Sequence, residues 1–189
     1  MTFACATSAE ERAARRAGLQ TARVGLAACR ALPEGPVVSF GLAGGLADDV
    51  SCGDVIDATR VVGRGGVLLW QGAPVGAPSA REGTVLAADR LIDDPEERRR
   101  LHVETGALVV DLESGPLAAT GRLVGCIRVV SDTPARTLGG MAAGVKADGT
   151  IDYGGIGRAF VRSPRAFTRA AGDARRALRK LRRIAEAVA

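Results

Sequence analysis

The chain has 189 residues and a formal net charge of +5, with 47% hydrophobic and 25% charged residues. This balance is typical of a globular protein with room for a sizeable core, and it excludes an intrinsically disordered chain. No segment reaches the roughly 18 consecutive apolar residues that span a bilayer, and no secretory signal opens the sequence. We therefore expect a cytoplasmic protein without stable membrane insertion.

Cysteine and histidine usage argues against a metal centre. The four cysteines form no C-x-x-C pair, and the single histidine, His102, lies in a charged stretch that we expect at the surface. We therefore expect neither a metal nor a cofactor. Because each cysteine lies among apolar or small residues, we interpret Cys5, Cys29, Cys52 and Cys126 as reduced core thiols of an intracellular protein.

Short apolar runs separated by Gly and Pro predict strands through the first half of the chain. A Ser/Thr-x-x-Glu capping box from Ser8 to Glu11 predicts a helix that ends at Gly18. Residues 41–45 and 71–83 are rich in Gly and small residues, which is typical of loops. The predicted strands are residues 2–6, 21–25, 36–40, 54–62, 67–70 and 84–88, and the run 67–70 is expected to pair with 54–62 around a Gly-Gly turn.

Helices and strands alternate in the second half. Asp93-Asp94-Pro95 predicts a helix start, because proline suits the first turn and acids suit its positive dipole end, and Gly106 predicts the helix end. Further predicted elements are strands 107–111 and 124–130, a helix 113–119 and a long helix from Ser163-Pro164 to the end. This order predicts one α/β domain over residues 1–189, built on a mixed, largely parallel sheet.

The end of the chain is strongly basic. A basic helix can bind nucleic acid, a membrane surface or another anionic partner, or can simply present a solvated face. Aromatic residues are only 3% of the chain and no zinc-finger or RNA-binding signature is present, so we favour the solvated face and expect no nucleic-acid partner. The basic residues concerned are Arg175, Arg176, Arg179, Lys180, Arg182 and Arg183.

Polar residues and bare backbone follow several predicted strands. In open α/β sheets, ligands bind outside the carboxyl ends of the strands. Glu11 follows the first strand, Glu113 follows the strand that ends at Asp111, and Asp132 follows the most apolar strand. We expect Glu11, Glu113 and Asp132 to meet in one crevice. The glycines of 41–45 form neither G-x-G-x-x-G nor a P-loop, which disfavours dinucleotide and ATP binding.

The order of these motifs resembles that of the nucleoside phosphorylase and nucleosidase superfamily. Its Gly-x-Ala-Gly-Gly-Leu and Gly-Asp-Val-Val elements resemble residues 41–46 and 53–56 here. Ala88-Asp89-Arg90-Leu91-Ile92 is similar to its Ser-Gly-Asp-x-Phe-Ile element, and residues 110–114 to its Asp-Met-Glu-Ser element. Residues 127–132 match its Ile-Arg-x-x-Ser-Asp element. The resemblance covers residues 3 to 135 and implies a three-layer α/β/α fold with a central mixed sheet.

Within the superfamily, the sequence looks most like the hopanoid-associated nucleoside phosphorylases. Residues 104–114 and the run from Arg128 through Asp132 to Arg136 carry this likeness. It implies cleavage of an adenosine-type nucleoside, with adenosylhopane as one candidate and adenine as the released base. The chain is shorter than the family, with no hairpin after the first helix and a compressed loop at residues 71–83.

The resemblance implies three carboxyl roles. Asp132 is the general acid that protonates the leaving purine at N7, because a purine anion leaves poorly at neutral pH. Glu113 binds the ribose hydroxyls while the sugar becomes an oxocarbenium-like cation, so its carboxylate acts on the transition state. Glu11 positions or activates the attacking water.

The remaining implied site residues line the base, the sugar and the nucleophile. Ile92 contacts the base through its backbone, Leu91 replaces a Phe that stacks on the base, and Leu112 packs against the sugar. On the nucleophile side, Leu42 stands where relatives often carry Ser or Thr. The loop on that side also contributes backbone at Gly41, Ala43 and Gly44.

Several alternatives remain open from the sequence. Phosphorolysis needs cationic side chains gathered around the phosphate. Arg12 and Arg23 are the nearest candidates, but neither lies in a motif that matches the superfamily. We therefore favour water over phosphate as co-substrate. A binding or regulatory relative that keeps a purine pocket without turnover is a second possibility, and a basic-helix interaction protein is a third. Relatives are commonly dimers, so we expect a homodimer.

Overall fold

The computed structural model describes residues 1–138, 146, 150 and 152–189. The described part contains eight strands, which confirms every predicted strand position within a few residues. They are β1 (Thr2–Cys5), β2 (Thr21–Arg23), β3 (Val37–Gly45), β4 (Val55–Val62), β5 (Leu68–Gln71), β6 (Arg81–Ala87), β7 (Val109–Asp111) and β8 (Leu123–Asp132).

Helices separate many of these strands, as the α/β prediction requires. The helices are α1 (Ser8–Arg16), α2 (Pro95–Thr105), α3 (Ser114–Ala119), α4 (Tyr153–Arg162) and α5 (Pro164–Val188), with short 3₁₀ turns at Leu26–Ala28 and Arg64–Gly66. Asp94 caps α2 by accepting a hydrogen bond from the Glu97 N–H, and Gly106 ends that helix in a left-handed conformation. Helix α4 was not predicted from the sequence.

The sheet is mixed and partly closes on itself. Strand β3 pairs in parallel with β1 and β8, β8 pairs antiparallel with β4, and β4 pairs in parallel with β6 and antiparallel with β5. Strand β6 then pairs in parallel with β7, whose residues Val109 and Val110 return antiparallel to the end of β3. The strands β3, β8, β4, β6 and β7 therefore form a closed ring, which brings the ends of β3, β7 and β8 together.

Helices cover the sheet on both sides, as the three-layer prediction expects. Alternate residues of β8 point to opposite faces, so Ile127 packs with α1 and α5 while Cys126 packs in the cluster that includes Leu117 of α3. Helices α1 and α5 contact each other on the first face. Helix α5 spans Pro164–Val188, which confirms the predicted long final helix.

Two predictions about local structure are wrong. The capping box uses Thr7 and Glu10 rather than Ser8 and Glu11, because Thr7 holds the extended backbone of an N-cap residue. Residues 41–45 belong to strand β3 rather than to a loop, because they pair with β8 and β7. Both corrections change which side chains reach the site.

The cysteine prediction holds for only part of the set. Cys5 and Cys126 are buried free thiols, whereas Cys29 is exposed and Cys52 is half-buried, so the latter two are not core residues. His102 is half-buried rather than fully exposed, and its Nδ1 lies 2.8 Å from the Ala107 carbonyl oxygen. In the described part of the chain, no helix combines the length and apolarity that crossing a membrane requires.

Candidate active site

A cavity of about 460 Å³ lies where the ends of β1, β3, β7 and β8 meet. This volume falls within the roughly 300–1,000 Å³ range of small-molecule sites. Its walls are mostly apolar, and its polar groups are concentrated in a few buried side chains. Helix α5 forms part of the wall through Phe167, Ala174 and Leu178, so the site depends on residues far apart in the sequence.

One side of the cavity holds the carboxyl group of Asp132. This residue ends β8 and is buried. Its Oδ1 accepts a hydrogen bond of 2.6 Å from Ser131 Oγ, and its Oδ2 forms a salt bridge with the guanidinium of Arg98. Both carboxyl oxygens are therefore held in place by donors, one of which is charged.

Arg98 is held by α2 and by the chain that precedes it. Its side chain is 1% exposed, and its Nε donates a hydrogen bond of 2.8 Å to the Ile92 carbonyl oxygen. A second acid, Asp93, lies 3.6 Å from Arg98 Nη2 and is 40% exposed. Burial raises the pKa of Asp132, and this effect outweighs the lowering by Arg98 and Ser131.

A second buried ion pair, between Arg128 and Asp111, reaches the cavity wall through Asp111. Arg128 donates to Asp111 Oδ2 through Nε at 2.7 Å and to Ser39 Oγ through Nη2 at 2.5 Å. The other oxygen of Asp111 accepts a 2.5 Å hydrogen bond from Ser114 Oγ. Burial lowers the pKa of Arg128, but the nearby groups Asp111, Cys126 and Glu113 together raise it by more, so the guanidinium stays charged. The guanidinium is committed to Asp111.

Glu113 lies next to this pair, and no cation in the described part of the chain is bonded to it. The residue is 6% exposed, and its Oε1 accepts a hydrogen bond of 3.1 Å from the Ala27 N–H. Burial, with a further contribution from the charge of Asp111, raises the pKa of Glu113 to about 8. The donating turn is strained, because Ala27 and Ala28 both have positive φ angles, of 51° and 53°.

Glu10 is a further buried carboxyl group of the cavity. Its Oε2 accepts hydrogen bonds of 2.7 and 2.9 Å from the N–H and hydroxyl of Thr7. Its Oε1 accepts a 2.7 Å hydrogen bond from the Leu42 N–H in β3. The capping box therefore has a second effect, because it directs the Glu10 side chain across to the neighbouring strand.

Two glycines of β3 make room for these carboxyl groups. A Cβ atom at Gly41 would lie 2.6 Å from Glu10 Oε1, and a Cβ atom at Gly44 would lie 3.2 Å from Asp132 Oδ2. The first distance is too short for any side chain, and the second is tight. The glycines at positions 41 and 44 therefore allow the carboxyl groups of Glu10 and Asp132 to lie close to strand β3.

Most of the predicted site residues meet in this cavity, with two exceptions. Glu11 lies outside it, in a surface depression on the outer face of α1, and Glu10 takes its place at the cavity. Gly41 does not line the cavity but lies behind Glu10. The predicted residues that line it are Leu42, Ala43, Gly44, Leu91, Ile92, Leu112, Glu113 and Asp132.

Three residues line the cavity that were not predicted from the sequence: Glu10, Arg98 and Phe167. A sequence signal existed for Arg98, because it lies three residues before Leu101 in a helical stretch and so shares its buried face. For Glu10, the signal was that Thr7-x-x-Glu10 has the same capping-box form as Ser8-x-x-Glu11. Phe167 gave no such signal, since its position depends on how α5 packs across the sheet.

Comparisons with solved structures identify the fold of the chain. No family model matches the sequence, and no curated protein matches it. Among solved structures, the 5′-methylthioadenosine/S-adenosylhomocysteine nucleosidase of S. pneumoniae, with the transition-state inhibitor MT-ImmA, matches with a TM-score of 0.63 at 12% identity, over 100% of this chain and 99% of that chain. The chain has the nucleosidase fold.

Two Helicobacter pylori structures support the same conclusion. The 5′-methylthioadenosine/S-adenosylhomocysteine nucleosidase matches with a TM-score of 0.62 at 14% identity, over 97% of this chain and 96% of that chain. Futalosine hydrolase matches with a TM-score of 0.59 at 13% identity, over 97% and 95%. The superfamily fold expected from the motif order is therefore confirmed.

Proposed function

We propose that the chain is a purine nucleosidase that cleaves the N-glycosidic bond of an adenosine-type nucleoside. The observation that carries this proposal is the convergence of four buried carboxyl groups on one largely apolar cavity, where Asp111 is paired with Arg128 and Glu10, Glu113 and Asp132 are left for the substrate and the nucleophile. Glycosidic cleavage needs both an acid for the leaving group and a negative charge near the developing sugar cation. The nucleosidase fold supports this reading.

Asp132 acts as the general acid on the leaving base. Its raised pKa favours a proton that can be passed to N7 of the purine. The carboxylate that remains after this transfer accepts hydrogen bonds from Arg98 and Ser131. Arg98 is thus a positioning residue, which stabilises Asp132 most strongly once its proton has left.

Glu113 stabilises the sugar as positive charge develops on it. As a carboxylate it accepts hydrogen bonds from the ribose hydroxyls, and its attraction to the sugar grows in the transition state. Leu112 packs against the sugar on the same wall. Because Arg128 is bonded to Asp111, the charge of Glu113 is left for the substrate.

Glu10, rather than Glu11, positions the nucleophile. Its oxygens have spare acceptor capacity beside their present hydrogen bonds and can hold an attacking water. A phosphate in the same place would face this carboxylate. Arg12 lies on the outer face of α1 and Arg23 is not part of the cavity wall, so neither candidate cation reaches it. Water is therefore the favoured co-substrate.

The apolar wall favours an apolar group on the 5′ carbon. Leu91 and Ile92 border the base side, with the Ile92 N–H as the backbone group left for the base because its carbonyl accepts from Arg98. Phe167, Leu138 and Leu178 line another part of the cavity and suit a hydrocarbon. Adenosylhopane, with adenine as product, is the substrate we propose within this class.

The direct test is release of free adenine from adenosine, methylthioadenosine and adenosylhopane. Adjacent glutamates give a matched pair of variants, since Glu10 lines the cavity and Glu11 does not. Glu10→Gln should lower kcat by at least about tenfold, and Glu11→Gln should leave it within about twofold. Equal effects of both variants would refute the role of Glu10.

Two further measurements separate the alternatives. Release of free ribose product without any dependence on phosphate identifies hydrolysis, whereas a phosphate-dependent ribose 1-phosphate product would show phosphorolysis. Binding of adenine without adenine release from any nucleoside would favour a relative that only binds. We further propose that residues 1–189 work as one unit in a cytoplasmic homodimer, and light scattering tests the dimer.

A further inference from the structure

The excess positive charge of the chain is concentrated on two neighbouring helices. Helices α1 and α5 contain eleven Arg and Lys residues and four Asp and Glu residues, a net charge of +7. The whole chain has a net charge of +5, so the residues outside these helices have a net charge of −2. The molecule is therefore strongly polarised between this pair of helices and the rest.

Most of these cations have no partner. Within the described residues, Arg12 and Arg16 of α1 and Arg175, Arg179 and Arg183 of α5 are exposed and form neither a salt bridge nor a side-chain hydrogen bond. The three in α5 recur every four residues and so lie along one stripe of the helix. Cations held close together without counter-charges repel one another, and an anionic partner would relieve this.

The two helices present one continuous surface. Both pack against the same face of the sheet, through Ala14 of α1 and through Ala177 and Leu181 of α5, and they contact each other. Their outer sides therefore point in the same general direction, away from the sheet. Glu11, the acid on the α1 side, is half-buried, and Glu186 on α5 is already bonded to Arg182.

We propose that this outer face of α1 and α5 is a docking surface for an anionic lipid membrane. Arg-rich helices bind anionic headgroups through many weak, additive attractions and need no fitted pocket. At the end of α4, just before α5 begins, Val161 is 79% exposed and is followed in sequence by Arg162 and Arg165. An apolar side chain among arginines suits the boundary between headgroups and acyl chains.

Nucleic acid fits the same surface less well. The exposed residues of α1 and α5 include no aromatic side chain, and single-stranded nucleic acids are commonly held by stacking on aromatics. The two helices also form part of the cavity wall, through Ala9 and Leu178. The docking proposal does not rest on the proposed function.

Co-sedimentation of the full chain with vesicles tests the proposal. One vesicle type contains phosphatidylcholine and phosphatidylglycerol, and the other contains phosphatidylcholine alone. The test variant combines Arg12→Gln, Arg16→Gln, Arg179→Gln and Arg183→Gln. The control variant combines Arg60→Gln, Arg64→Gln, Arg81→Gln and Arg99→Gln, four exposed arginines outside these helices with the same change in net charge.

The wild-type chain should bind the anionic vesicles and not the neutral ones, with binding that weakens as salt increases. The test variant should lose at least about tenfold in partition coefficient, and the control less than about threefold. If the test variant unfolds at a lower temperature than wild type, the Arg179→Gln/Arg183→Gln pair replaces it. Equal losses in both variants, or binding to DNA or RNA but not to anionic vesicles, would overturn the proposal.

Discussion

The two ends of the cavity handle a buried carboxyl group in opposite ways. Asp132 is paired with Arg98, a guanidinium 1% exposed to solvent, and with the hydroxyl of Ser131. Among the described residues, Glu113 accepts a hydrogen bond from the Ala27 N–H alone, and its pKa rises to about 8 because of burial. At one end, Arg98 and Ser131 therefore stabilise the carboxylate once its proton has left, whereas the carboxyl group at the other end can gain or lose its charge near neutral pH.

This difference shows how one cavity can support two roles. A carboxylate beside a fixed cation is stabilised after it gives up a proton, which suits an acid that protonates a leaving group. A carboxyl group without its own cation keeps its full attraction for a positive sugar once it is ionised. The cation that would otherwise quench Glu113 is Arg128, and Asp111 binds it. Each of the following changes either removes this contrast or measures it.

The largest expected effect comes from Asp132→Asn. The amide cannot pass a proton to N7, so kcat for adenine release should fall by about 10²–10⁴-fold. Asp93 offers a matched control, because it lies 3.6 Å from the same arginine but is 40% exposed. Asp93→Asn should keep kcat within about threefold of wild type. Steady-state kinetics on both variants measures these effects. If Asp132→Asn lowered kcat only slightly, Asp132 could not be the general acid.

Stability should respond most to loss of the cation at the same end. Arg98→Met leaves Asp132 buried without its counter-charge and should lower the free energy of unfolding by about 3–5 kcal/mol. Arg99→Met, next in sequence but exposed and paired with Asp48, should cost less than about 1 kcal/mol. Denaturant unfolding measures both values.

The double variant makes this test specific to the pair. Because Arg98→Met/Asp132→Asn removes both charges, it should recover a large part of the stability lost in Arg98→Met alone. If the two substitutions were simply additive, the salt bridge could not be the source of the loss.

At the other end, we expect activity to follow the ionisation of Glu113. With a pKa of about 8, the ionised fraction of Glu113 increases about tenfold per pH unit below that value, so kcat/KM should rise in the same way as pH approaches 8. Glu113→Gln should be much less active and should lack this rise. A pH profile without a limb near 8 in the wild type would contradict the assignment.

Stability should change with pH in the opposite direction. The pKa of Glu113 in the folded chain is above the ordinary value of 4.5, so its contribution is fully present below about pH 4.5 and is lost as pH rises through about 8. Relative to wild type, Glu113→Gln should therefore gain unfolding free energy between pH 6 and 9. Parallel denaturant titrations of the two proteins at several pH values measure this difference.

The sequence predicted the frame of the molecule better than the details of its site. Strands followed from short apolar runs, and the end of α2 from Gly106, because these signals are local. Glu10 and Glu11 show the limit: each helical residue is rotated by about 100° from the last, so an error of one position in the cap moved the expected carboxyl group from the cavity to the outer face.

Long-range packing accounts for what no local pattern could give. Phe167 reaches the cavity only because α5 crosses the sheet, and Arg98 meets Asp132 across 34 positions of sequence. Burial of an acidic residue does not by itself indicate a role in the active site. Asp57 is as buried as the site carboxyls, yet it accepts hydrogen bonds from the N–H groups of Val75, Gly76 and Ala77 and holds a loop.

The smallest expected effects come from two glycines that differ in their surroundings. At Gly41 an added Cβ would lie 2.6 Å from Glu10 Oε1, so Gly41→Ala must displace that carboxyl group and should lower kcat by about tenfold. At Gly172 in α5 nothing lies within 4 Å, so Gly172→Ala should raise the unfolding free energy by up to about 1 kcal/mol and leave kcat unchanged. Kinetics and thermal unfolding of both variants separate the two effects. Glu10 is neither the general acid nor the carboxyl group that binds the sugar. If Gly41→Ala left kcat unchanged, Asp132 and Glu113 would be sufficient for catalysis. The attacking water would then need no carboxyl group at the position of Glu10.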